Sequence, residues 1–333
     1  MTASRPILAG QVRAARHTER ISISTPGDFQ LASKRSIARA EAAQAGLLPY
    51  CLDFLRRRSL YVGGVDARAA QAAPFYYLYL RREARSLVSV PWEMGPLAEG
   101  VARAPVFLFS PGRCGSTLLS RILSAAGLPN VSEPDFYTQA TSALCASPFN
   151  PLQATVQRAV WNLGADLAAA LDPVQSPVVK LRAESCRAPQ LLLQPCERRT
   201  IFITRGFESW ARSNGRAFRN GARKAVRKYL LAMTCHGYLR QNSDCHLLRY
   251  EDLQAEPLIA TQALARFLER DISAAAVTAT MKEDSQEGTP LALGARSDSP
   301  GWEKRFDETM ALWNSATVRG VRDRLGVDER RAG

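Results

Sequence analysis

Residues 104–117, APVFLFSPGRCGST, decide the fold. Val106-Phe107-Leu108-Phe109 has the length and β-preference of a buried strand, and Ser110-Pro111-Gly112 stops it. Gly115 allows a tight backbone turn, after which Ser116, Thr117, Leu118, Leu119, Ser120, Arg121, Ile122 and Leu123 run with helical spacing. The pattern predicts a strand, a glycine-bearing turn and a helix. A helix that starts in such a turn aims its free N–H groups and positive dipole end at whatever sits there, and an anion is favoured. This is not the common ATP-binding loop. That loop is G-x-x-x-x-G-K-[ST], with Lys directly after the last Gly, whereas here Ser116 follows Gly115 and the nearby cation is Arg113.

Four further segments carry chemistry-bearing residues at element ends. Arg199-Thr200-Ile201-Phe202-Ile203-Thr204 reads as a second buried strand ending at Arg205, and Gly206 to Ser213 begins a helix. Arg offers a planar fork of donors that suits phosphate, and Ser213, two helical turns on, adds a hydroxyl from the same side. Pro177-Val178-Val179-Lys180-Leu181-Arg182 reads as a short strand that delivers Lys180. Leu247 to Leu253 carries Tyr250, with Pro257 opening a helix through Phe267-Leu268, and Gly301-Trp302-Glu303-Lys304-Arg305-Phe306 opens the last helix. Singly, Lys180 reads as a solvated strand-end lysine, Arg205 as an ion-pair partner at a sheet edge, and Tyr250 and Trp302 as packing residues. Their recurrence in one order is what carries weight.

In that order, over about residues 105 to 325, the chain resembles the sulfotransferases that use PAPS (3′-phosphoadenosine 5′-phosphosulfate). Pro111, Arg113, Cys114, Gly115, Ser116 and Thr117 fit the family's 5′-phosphosulfate loop. Arg205 and Ser213 fit its 3′-phosphate pair, although Gly206-Phe207 stands where members commonly have Asp-Pro. Lys180 fits its catalytic lysine, and Tyr250 the residue expected beside the adenine. Members of the phenol-type branch place a His base two residues after that lysine. Here the position holds Arg182, which cannot act as a base at neutral pH. The tyrosylprotein and bacterial carbohydrate branch instead uses a Glu about twenty residues after the loop Arg, and Glu133, in Val131-Ser132-Glu133-Pro134-Asp135-Phe136, stands there with Asp135 as a weaker rival. The resemblance thus implies catalytic Glu133, Lys180 and Arg113. It implies PAPS binding by Arg113, Cys114, Gly115, Ser116, Thr117, Arg205, Ser213 and Tyr250, with no metal. It also implies sulfuryl transfer to a hydroxyl or amine of a small-molecule, carbohydrate or peptide acceptor. The alternatives are a non-catalytic nucleotide-binding regulatory module and an ATP-dependent small-molecule kinase; the kinase reading lacks the loop lysine and leaves Arg205 and Ser213 without a 3′-phosphate to hold.

The implied fold class is α/β: a P-loop nucleotide-hydrolase-like three-layer fold with a central parallel sheet over 105–333, including a mobile loop near 284–301. Residues 1–104 are expected to form a mainly helical accessory or acceptor region. Ser36 to Ala43 has helical patterning, and the aromatic run Phe75-Tyr76-Tyr77-Leu78-Tyr79-Leu80 reads as core, a packed cap or the lining of an acceptor pocket.

Composition bounds the rest. With 333 residues and 46% hydrophobic residues, the chain can build a sizeable core. It has no uninterrupted apolar run of about 18 residues that would span a bilayer. Arg5, Arg13, Arg16, His17 and Arg20 are scattered among polar residues with no apolar signal core, and seven widely spaced cysteines read as reduced thiols, so a cytoplasmic location without membrane association is expected. Cys235-His236 and Cys245-His246 lack the spacing of a structural zinc site. A net charge of +13 favours anionic partners, but no basic tract exceeds Arg56-Arg57-Arg58 and no nucleic-acid motif is present, so nucleic acid is not an expected partner.

Overall fold

The computed structural model describes residues 5–99, 104–145, 153–194, 199–283 and 298–327. The stretch 284–297 of the expected mobile loop, Cys196 and the Cys145 side chain lie outside the described residues.

The N-terminal part overturns the expectation of a mainly helical region over 1–104. It contains the strands β1 (Ile7–Ala15), β2 (Phe29–Leu31), β3 (Arg35–Ile37), β4 (Leu48–Asp53), β5 (Arg58–Gly63) and β6 (Ser86–Pro91), with the short α-helices α1 (Arg39–Gln44), α2 (Ala67–Ala72) and α3 (Tyr76–Glu83) between them. The strands form an antiparallel sheet in the order β2-β1-β6-β5-β4, with β3 paired to β1. The physical reason is that tertiary pairing overrides local preference. The Ala-rich segment Ile7–Ala15 lines up with residues about eighty positions away, as in Leu8 opposite Ser89. Two residues of the expected helix at Ser36–Ala43, Ser36 and Ile37, belong to β3. The hairpin of β4 and β5 is buried at every position, so it shows none of the alternation by which a one-sided strand is read.

The remainder is α/β, as expected. In chain order it runs β7 (Val106–Phe109), α4 (Ser116–Ala125), β8 (Asn130–Ser132), α5 (Asp135–Cys145), α6 (Gln153–Leu171), β9 (Val178–Lys180), β10 (Arg199–Thr204), α7 (Phe207–Ala217), α8 (Ala222–Asn242), β11 (Asp244–Arg249), α9 (Tyr250–Ala255), α10 (Pro257–Leu268), α11 (Ala274–Met281), α12 (Trp302–Trp313) and α13 (Ala316–Arg324). The sheet order is β11-β10-β7-β9-β8, and β8 with β9 and β10 with β11 are parallel.

The chain divides into two compact units: residues 1–107 with 127–197, and residues 108–126 with 198–333. The first unit has an aromatic core of Tyr50, Tyr61, Tyr76, Phe136 and Tyr137. Two of its buried charges are held by named partners: Arg81, wholly inaccessible, meets Asp28 at 3.3 Å and Tyr50, while Asp166 accepts from the Tyr61 hydroxyl at 2.6 Å. In the second unit, Phe207 stacks on Trp313 with ring centres 3.6 Å apart, and Tyr229 and Trp210 close the cluster.

Candidate active site

The second unit builds an anion cradle from the loop after β7. Gly112, Arg113 and Gly115 all have left-handed backbones, with φ of 76°, 58° and 81°. Such turns draw neighbouring N–H groups toward one side. Helix α4 follows, and its N-cap residue Gly115 supplies no side-chain cap to the first turn. Gly115 is required on two counts. Its φ disfavours an L side chain, and a Cβ there would stand 2.5 Å from the Tyr250 ring. The loop is pinned at Gly112, whose carbonyl accepts from Trp210 Nε1 at 2.8 Å and Cys114 Sγ at 3.3 Å.

Around this loop the unit gathers most of the anion-binding residues expected from the sequence. Arg113 Nε donates to Ser213 Oγ at 3.3 Å. Arg205, directly after β10, lies with its guanidinium carbon 4.4 Å from the centre of the same Tyr250 ring that covers Gly115. Its carbonyl accepts from the Tyr229 hydroxyl at 2.7 Å, which fixes the backbone from which the side chain reaches out. The hydrogen bond of Arg205 Nε goes to Ser209 Oγ at 3.0 Å, one helical turn before Ser213. Ser209 is therefore a site residue that the sequence reading left without a role; its position four residues after Arg205 is the signal that would have found it. Glu251, also unassigned, accepts from the Gly206 N–H at 2.9 Å and ties α9 to the start of α7. Ser116 and Thr117 are buried in the first turn of α4.

The first unit holds two acid–base pairs side by side. Parallel pairing of β8 with β9 places Ser132 opposite Lys180. The next residue, Glu133, takes a left-handed backbone with φ of 62°. Its N–H donates to the Lys180 carbonyl at 2.7 Å, and Lys180 Nζ donates to Glu133 Oε1 at 2.8 Å. The Lys180 side chain is 3% exposed and that of Glu133 15%. Two residues further along each segment, Arg182 Nη1 donates to Asp135 Oδ1 at 3.0 Å. Asp135 is fully buried, and its other oxygen accepts from the backbone N–H and hydroxyl of Ser24 at 2.7 and 3.0 Å. Burial pushes its carboxyl up to about 6, against the opposing pull of Arg182 and Ser24. Asp135 thus has both oxygens engaged and no exposure, whereas Glu133 is partly exposed. Phe75 and Tyr77 of the aromatic run face these cations, with Lys180 Nζ 5.8 Å from the Phe75 ring centre and Arg182 Cζ 5.1 Å from that of Tyr77.

No protein-family model matches the chain, and no curated protein matches it. Solved structures similar to it include sulfotransferases. A sulfotransferase domain from the curacin biosynthetic pathway is 17% identical, covers 68% of this chain and 99% of its own, and superposes with a TM-score of 0.41. A sulfotransferase domain of the Synechococcus PCC 7002 olefin synthase is 16% identical over 65% of this chain and 95% of its own, at 0.39. Retinol dehydratase, solved with androsterone and the inactive cofactor PAP, is 14% identical over 67% of this chain and 81% of its own, at 0.40. Among the described residues no cluster of three or more His, Cys, Asp or Glu is arranged to hold a metal ion, and no helix is long and apolar enough to cross a membrane.

Proposed function

We propose that the chain transfers a sulfuryl group from PAPS to a hydroxyl or amine of a small-molecule, carbohydrate or peptide acceptor, in the manner of the Glu-base branch of sulfotransferases. The observation that carries this reading is the continuous set of contacts in the second unit, from Arg113 through Ser213 and from Gly115 through Tyr250 to Arg205 and Ser209. Two arginines, two serine hydroxyls and the first-turn amides of α4 suit a ligand with phosphate groups at both ends of a nucleoside.

PAPS supplies the sulfuryl group. In this reading Arg113, with the amides and hydroxyls of Cys114 to Thr117, neutralises the 5′-phosphate that departs, and Arg205 with Ser209 and Ser213 holds the 3′-phosphate. Tyr250 presents an aromatic face for the adenine. Lys180 stabilises charge on the oxygen released as the S–O bond to phosphate breaks, and Glu133 takes the proton from the acceptor hydroxyl or amine as the new bond to sulfur forms. Fixed cations do what a divalent ion does in ATP enzymes, so the reading calls for no metal. Residues 1–104 are assigned to an accessory or acceptor role and 105–333 to the catalytic domain.

Calorimetric titration of the protein with 3′,5′-diphosphoadenosine and with AMP tests the donor half of the proposal. Tight binding of the first and weak binding of the second is expected, and equal affinities overturn it. Labelled PAPS offered with a panel of phenols, sugars, amines and tyrosine peptides tests transfer.

A further inference from the structure

Helix α8 carries two apolar stripes, one buried in the core and one that runs from the buried Val226 to half-buried residues at the surface. Ala225, Tyr229, Ala232, Met233, His236 and Leu239 are buried. A second stripe, Val226, Leu230 and Leu231, forms a groove of about 360 Å³ together with Leu312 of α12 and Val321 and Leu325 at the end of α13. Apart from Val226 these side chains are half-buried, in an open groove between three helices.

The groove's polar rim has one sign. Arg223 and Arg227 line it with Thr234, and among the described residues no acidic side chain does. Arg223, Lys224, Arg227 and Lys228 fall in the first two turns of α8, which has no side-chain cap and no acid in its first turn. Cations there oppose the helix dipole. Lys228 lies 5.6 Å from the Phe218 ring centre, while Arg223, Lys224 and Arg227 are exposed and form no ion pair with any described residue. Helix α13 adds Arg319, Arg322 and Arg324 against a single acid, Asp323.

We infer that this groove docks an acidic amphipathic helix of a partner protein, its apolar ridge seated on Leu230, Leu231, Leu312, Val321 and Leu325 and its carboxylates meeting Arg223, Lys224 and Arg227. Helix-in-groove recognition needs a recessed aliphatic track with complementary charge beside it. A membrane surface would instead be met by protruding apolar anchors, and the large exposed hydrophobic residues Ile21, Leu55, Val174, Leu247, Leu258 and Ile259 all lie outside α8, α12 and α13. The inference is independent of the sulfuryl-transfer reading, because none of these residues is assigned to it.

The test uses the full chain and a fluorescein-labelled peptide of about 18 residues, five helical turns, with Leu at i, i+3, i+4 and i+7 spacing and Glu on the flanks. Anisotropy should report binding that weakens as salt rises, with a Lys-for-Glu peptide and a scrambled peptide each at least about tenfold weaker. The R223E/R227E double variant, altered only at exposed positions, should lose at least about tenfold in affinity for the acidic peptide and regain binding to the Lys peptide. Leu231→Ala should weaken both, with an unchanged melting temperature as the control. Equal binding of all three peptides, no binding, or full affinity in the double variant overturns the proposal. So does salt-sensitive binding to phosphatidylserine vesicles, lost in that variant, in the absence of peptide binding.

Discussion

Lys180 and Glu133 hold each other twice, through the Glu133 N–H to the Lys180 carbonyl at 2.7 Å and through Lys180 Nζ to Glu133 Oε1 at 2.8 Å. The backbone bond continues the ladder of β8 and β9 by one residue, and it holds Glu133 in a left-handed conformation that a non-glycine residue adopts at a cost. The side-chain bond then fixes which way the carboxylate points. Glu133→Gln keeps an oxygen for Lys180 but removes the site for a proton. Steady-state kinetics should show turnover lower by roughly 10²–10⁴-fold with nucleotide affinity retained in calorimetry. Near-normal turnover would shift the base to another group.

Arg205 tests the donor assignment separately. Its Nε bond to Ser209 and its stacking on Tyr250 leave the remaining guanidinium donors to a ligand. Arg205→Ala should therefore abolish most of the preference for 3′,5′-diphosphoadenosine over AMP, a loss of about 1.5–3 kcal/mol per charged hydrogen bond. The AMP affinity should change much less. If both nucleotides weaken equally, Arg205 supports the fold and does not read the 3′-phosphate.

Gly115 and Tyr250 make a steric pair. A Cβ at residue 115 meets the ring at 2.5 Å on a backbone with φ of 81°. Gly115→Ala should cost about 2–4 kcal/mol in urea unfolding, from the left-handed penalty and overpacking together. In the double variant with Tyr250→Ala the two changes should cost less than their sum by about 1–2 kcal/mol, since the clash is gone and the backbone penalty remains. Strict additivity would mean the loop moves away from the ring at no cost.

What could be read from the sequence follows from how local each cause is. The strand Val106–Phe109, the turn at Gly115 and the helix from Ser116 are encoded within twenty residues, and all three formed where they were expected. Arg205, directly after β10, was legible for the same reason, whereas Glu133, directly after β8, was singled out only through the family resemblance. The antiparallel sheet was not. Its Ala-bearing β1 and fully buried β4 and β5 depend on partners that are distant in sequence or on burial from both faces. The pairing of Asp135 with Arg182 spans 47 positions and joins the start of a helix to the second residue after a strand, so no periodicity announces it. Ser209 went unassigned because the spacing of Arg205 and Ser213 already supplied a hydroxyl, and only the rotamer of Arg205 shows which serine it meets.

The proposed transfer should not need a metal. With Arg113 and Lys180 as fixed cations, activity in excess EDTA should match activity with added Mg²⁺. Strict dependence on Mg²⁺ would favour an ATP-type mechanism.

Asp135 gives the fold a pH dependence whose sign can be worked out. Its carboxyl titrates at about 6 in the folded chain, above the ordinary 3.8, chiefly because it is buried. The folded state therefore holds a proton that the unfolded state has released between these values, so this group's contribution to stability is complete below about pH 4 and is lost as pH rises through about 6. The change is on the order of a few kcal/mol, at about 1.4 kcal/mol per unit. Asp135→Asn retains an acceptor for Ser24 and cannot ionise. Urea unfolding of both proteins from pH 4 to 7 should show the native chain losing stability relative to the variant up to about pH 6 and a constant difference above it. Groups common to both proteins, such as Asp166, whose carboxyl burial also raises, cancel in that difference. A native-minus-variant difference that is flat across the range would show that Asp135 stays ionised on Arg182 throughout, with the Arg182 and Ser24 hydrogen bonds outweighing burial.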